Sequence, residues 1–95
     1  MKVILSTGAQ NALETIREFY SARAPEALPA VFEPIVNGLD LLAKHPRSGP
    51  PNRQTGLDGE IRVLVAAPYR ILYEIQDEKI VLIHSIRHGR QKPEF

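Results

Sequence analysis

The apolar positions of this chain change period along its length. Lys2-Val3-Ile4-Leu5 is a short apolar run with β-branched members and reads as a strand. From Ala9 the period becomes helical. Ala9, Leu13, Ile16 and Tyr20 form one stripe, widened by Ala12 and Phe19, while Glu14, Arg17 and Glu18 fall off it. Thr7 followed by Gln10 fits a capping box, so the first predicted helix runs from about Ala9 to Arg23 and stops before Pro25. Leu28, Val31, Phe32, Ile35, Leu39 and Leu42 make a second stripe, hence a second helix antiparallel to the first. Pro29 suits a first turn. Pro34 does not, because it removes a backbone hydrogen bond and crowds the preceding turn, so a kink or break is expected near Ala30–Pro34. Gly38 weakens the middle of this helix by about 1 kcal/mol relative to alanine, unless it permits close contact with a sheet.

After His45-Pro46, residues 47–59 read as a loop rich in proline and glycine. Strand patterns then resume: Ile61–Val65, Tyr69–Ile75 and Ile80–Arg87, joined by Ala66-Ala67-Pro68 and by the polar turn Gln76-Asp77-Glu78-Lys79. Both hairpins are short, which predicts an antiparallel meander. The order is β-α-α-β-β-β. The expected fold class is α+β: a helical hairpin packed on one face of a small, mainly antiparallel sheet that the first strand joins.

Composition narrows the class without naming a function. Ninety-five residues with 43% apolar and 24% charged positions suit a single globular domain spanning 1–95. With no cysteine there is no disulfide and no thiolate chemistry, which fits a reducing cytoplasm. No apolar run is long enough for a membrane span, and no signal-peptide pattern is expected at the N-terminus. The net charge of +1 is nearly even between the two halves. One cluster is one-signed: Arg87-His88-Gly89-Arg90-Gln91-Lys92, where the last strand runs out.

Alternation puts Tyr69, Ile71, Tyr73 and Ile75 on one strand face and Arg70, Leu72 and Glu74 on the other. Arg70 is thereby expected on the uncovered face of the sheet, with Arg62 in a similar setting on the neighbouring strand. Both are either solvated charges or contacts for an anion. Arg87 and Arg90 could bind phosphate through bidentate hydrogen bonds. His88 between them is either an exposed histidine at a basic strand end or a general acid or base. The three histidines lack metal-ligand spacing, and no glycine-rich phosphate loop is present; no metal and no cofactor are expected.

The element order, the helix end Leu41-Leu42-Ala43-Lys44-His45-Pro46 with Gly49, the strand Tyr69-Arg70-Ile71-Leu72-Tyr73-Glu74-Ile75 and the ending His88-Gly89-Arg90 resemble the RelE/ParE superfamily of toxins from toxin–antitoxin pairs. The resemblance covers nearly the whole chain. It implies a cognate antitoxin and one of two activities. ParE-like members poison DNA gyrase by binding, whereas RelE-like members cleave mRNA on the ribosome. For the ribonuclease alternative, the resemblance assigns Arg70 to the transition-state charge, His88 to proton transfer and Arg62 to a phosphate contact.

Departures from the ribonuclease pattern favour the ParE-like branch. The loop before the second strand offers no acid until Asp58 and Glu60, and no lysine, only Arg53. No tyrosine follows His88; Gly89 stands there. The expected function is therefore a gyrase-binding toxin, with Arg62, Arg70, Arg87, His88, Arg90 and Lys92 as target-binding residues and no catalytic residue assigned.

Overall fold

A computed structural model describes residues 1–52 and 60–90. The chain runs β1 (Lys2–Leu5), α1 (Thr7–Arg23), a single 3₁₀ turn (Pro25–Ala27), α2 (Leu28–Lys44), β2 (Glu60–Ala66), β3 (Tyr69–Gln76) and β4 (Ile80–His88). The strands form one sheet in the order β1-β4-β3-β2. β2, β3 and β4 are the antiparallel meander that the short hairpins require, and β1 joins parallel to β4. The two helices lie over one face, as the α+β reading requires.

α1 begins two residues earlier than the periodicity predicts, and its cap is Ser6, not Thr7. The Ser6 hydroxyl accepts from the Ala9 N–H (3.1 Å) and donates to the His84 carbonyl (2.9 Å), so one side chain both caps the helix and ties it to β4. Gln10 reaches back to the Leu5 carbonyl instead of closing a capping box (3.0 Å).

α2 continues through Pro34 without a break, contrary to expectation. Ala30, whose carbonyl loses its helical partner, is exposed, so water can take that partner's place. On the opposite side Ile35, Gly38 and Leu42 are buried against the sheet, and this packing outweighs the local cost. Gly38 explains the close approach: a Cβ there would lie 3.0 Å from Ile71 Cδ1 and 3.3 Å from Ala66 Cβ. At the end of α2, the Met1 ammonium donates to the Ala43 carbonyl (2.7 Å), placing a cation at the negative end of the helix.

The core is built on the inward residues of β3 as alternation predicts. Ile71 and Tyr73 have no exposure and meet Val81, Ile83, Ile35 and Leu42. One irregularity governs everything downstream. Tyr73 pairs with Ile83 but Leu72 pairs with Ser85, leaving His84 as an extra residue in β4. This bulge resets the alternation of β4, so Val81, Ile83, Ile86 and His88 share the helix-covered side.

Candidate functional site

The bulge divides the basic end of β4 between two surfaces. Arg87 pairs with Arg70 and is therefore placed on the side of the sheet away from the helices, the side on which Leu72 is buried, whereas His88 pairs with inward-facing Tyr69. The His88 ring meets Tyr69 edge-on, with centroids 5.7 Å apart. Its Nδ1 accepts from the Arg90 backbone N–H (3.2 Å), which commits that nitrogen as an acceptor. Arg70 and Arg90 are exposed, while Arg87 and His88 are half-buried. Lys92 and the Arg53–Asp58 stretch lie outside the described residues.

The same face of β3 as Arg70 carries Glu74. Glu74, two turns of the pleat along β3, is engaged by His84 Nε2 at 2.9 Å and by Gln76. Arg70 is exposed and Arg87 is half-buried, and the two are cross-strand partners.

Arg62 is the residue that sequence alternation misplaced. It pairs with Tyr73, so it lies on the opposite face from Arg70. Its guanidinium donates to the Gly49 carbonyl (2.7 Å) and to Glu60 (2.7 Å), with only 17% of the side chain exposed. Arg47 adds ion pairs to Glu60 and Glu78. Hydrogen bonds from Arg47 first, then Arg62, hold the Glu60 carboxyl below its ordinary value, and the Arg47 bond does the same for Glu78. Together these contacts fasten the segment after α2 to the start of β2.

The same segment explains two motifs. The Tyr73 hydroxyl donates to the Pro46 carbonyl (2.7 Å) and accepts from the Gly49 N–H (3.0 Å). Burial raises the Tyr73 phenol pKa, which keeps it a neutral donor. Gly49 packs directly on the β2 backbone, where a Cβ would fall 2.4 Å from the Val63 carbonyl oxygen. The helix end His45-Pro46…Gly49 and the strand Tyr69–Ile75 are thus two halves of one latch. No sequence pattern signalled this pairing, because an inward tyrosine in a strand reads simply as core.

Among the described residues no group of three His, Cys, Asp or Glu side chains comes together to hold a metal ion, and no helix is long and apolar enough to cross a membrane.

A two-helix hairpin over a four-stranded mixed sheet in the order β-α-α-β-β-β is the fold of RelE/ParE-like toxins. The family model for the ParE toxin of type II toxin–antitoxin systems matches residues 3–93, and the chain belongs to that family. Among solved structures it is similar to the chromosomal ParDE toxin–antitoxin system from P. aeruginosa, with 21% identity over 93% of this chain and 95% of that one and a TM-score of 0.71. It is also similar to the toxin–antitoxin complex RelBE2 from Mycobacterium tuberculosis, at 28% identity, 92% and 95% coverage and a TM-score of 0.55. No curated protein sequence matches the chain.

Proposed function

We propose that this ParE-type toxin acts by binding DNA gyrase through the sheet face away from the helices, at exposed Arg70 and its neighbour Arg87, and that a cognate antitoxin neutralises it. The observation that carries this reading is the division of the basic residues by the β4 bulge. A ribonuclease built as the superfamily resemblance implies needs Arg70 and His88 at one phosphate. Here they project from opposite sides of the sheet. Arg62, the third member of that constellation, is turned inward and occupied by Gly49 and Glu60. Among the described residues no histidine or carboxylate is a cross-strand partner of Arg70, which favours recognition over cleavage. The similarity to proteins solved as toxin–antitoxin complexes supports the antitoxin as partner.

The test is a pair of reconstituted reactions. With purified gyrase and plasmid, the protein is expected to inhibit supercoiling and accumulate cleaved DNA, and Arg70→Glu is expected to abolish both effects. With programmed ribosomes the message is expected to stay intact. Cleavage of mRNA in the ribosomal A site, with gyrase unaffected, would overturn the proposal in favour of the ribonuclease alternative.

A further inference from the structure

The β2–β3 hairpin carries an apolar surface that the basic residues do not account for. Val65 is 63% exposed, more than any other large apolar side chain among the described residues. Its neighbours Leu64 and Ala66 point to the helices, where a Cβ on Gly38 would touch both. Val65 alternates with them and pairs with Arg70, so its side chain stands beside that exposed guanidinium on the face away from the helices. Ala67 and Pro68, in the turn that follows, are exposed as well.

Two properties specify what meets this surface. The first is rigidity. The hairpin is held by its own ladder and, at the turn, by the Gly89 N–H, which donates to the Pro68 carbonyl (2.7 Å). A contact built on such a frame loses little conformational freedom on binding. The second is charge. No Asp or Glu occurs from Ile61 to Tyr73 or from Lys79 to Arg90, and Glu74, farther along β3, is engaged by His84. Charge complementarity therefore places the carboxylates for Arg70 on the partner.

Building on the gyrase reading, we propose that Val65 is the apolar anchor of target recognition, seated on an uncharged patch of the gyrase protein whose bordering carboxylates meet Arg70. A nucleic acid is the poorer fit. The exposed side chains beside Arg70 are aliphatic, Tyr69 and Tyr73 are buried and offer no stacking platform, and one guanidinium makes few phosphate contacts.

The test measures binding of the purified full chain to purified gyrase, and separately to duplex DNA alone. Val65→Asp is expected to weaken gyrase binding by on the order of tenfold, and the isosteric Val65→Thr by about threefold. Val65→Thr keeps the β-branched shape, so a native-like melting curve for it separates a lost contact from lost folding. Val36→Asp, the same change at an exposed valine of α2, is expected to leave binding unaltered. Combining Val65→Thr with Arg70→Gln is expected to cost less than the two single losses together, because both side chains serve one contact. Native-strength binding by the folded Val65 variants, or an equal loss in Val36→Asp, would overturn the anchor and leave the gyrase reading standing. Failure of the native chain to bind gyrase would overturn both. Binding of duplex DNA alone, lost in Val65→Asp, would assign the surface to nucleic acid and overturn the protein partner.

Discussion

Arg70 and His88 belong to adjacent antiparallel strands, yet they stand on opposite sides of the sheet. Arg70 is aligned with Arg87 on the face away from the helices, while His88 is aligned with Tyr69 and turns toward α1. The separation follows from one inserted residue, His84. With uninterrupted alternation, Val81 and Ile83 facing inward would bring Arg87 inward as well and leave His88 outside, beside Arg70. The bulge reverses both assignments.

Toxicity should therefore respond differently to the two residues. On induced expression, His88→Gln is expected to retain most of the growth arrest, whereas Arg70→Glu with Arg87→Glu is expected to remove it. Colony counts after induction, with circular dichroism to confirm folding, provide the measurement. A folded His88→Gln protein without toxicity would count against the recognition mechanism.

The Tyr73 latch should contribute to stability rather than to activity. Tyr73→Phe deletes the hydroxyl shared by Pro46 and Gly49 and leaves a buried N–H without its acceptor. A loss of about 1–3 kcal/mol in urea denaturation is expected. Gly49→Ala should cost a similar amount, about 1–3 kcal/mol, because its Cβ would press on Val63 backbone and not on a side chain that can swing away.

Acid should loosen the segment after α2. Glu60 and Glu78 have folded-state pKa values below their ordinary 4.5, so the unfolded chain binds protons first as pH falls. Their contribution is fully present above 4.5 and is lost as pH drops through the depressed folded values. The pairs are solvent-screened, so the effect is modest and weakens further with salt. Thermal melts between about pH 5 and pH 3 should fall more steeply for the native chain than for Arg47→Met. Parallel curves would show that the Arg47 pairs contribute nothing measurable.

Pro34 lies within an otherwise regular helix and denies Ala30 its hydrogen bond. Pro34→Ala is expected to raise stability by about 1–3 kcal/mol, read from the shift of the urea midpoint at constant slope. A destabilised variant would mean that the half-buried ring packs more strongly than the missing bond costs.

Much of the architecture was legible in the chain. The stripe from Ala9 to Tyr20, the second from Leu28 to Leu42 and the inward row Tyr69, Ile71, Tyr73 and Ile75 each carry a period that only one kind of element satisfies. The motifs around His45-Pro46 and Tyr69–Ile75 were equally visible, although their physical meaning was not. It lies in hydrogen bonds between residues more than twenty positions apart, which no local period encodes.

The site divides along the same line. Sequence by itself determined that basic residues gather at the end of the last strand, that Arg70 is set against the apolar row of its strand, and which family carries this order of elements. Only the tertiary structure decided which of those residues could act together. Arg62 was drawn inward because its strand register sets it beside Tyr73 and the Gly49 carbonyl. His88 was parted from Arg70 because the apolar side chains of Ile83 and Ile86, three residues apart in sequence, both had to reach the core. Burying both requires a bulge at His84, and a shift of one residue in a period of two moves every later side chain to the other face.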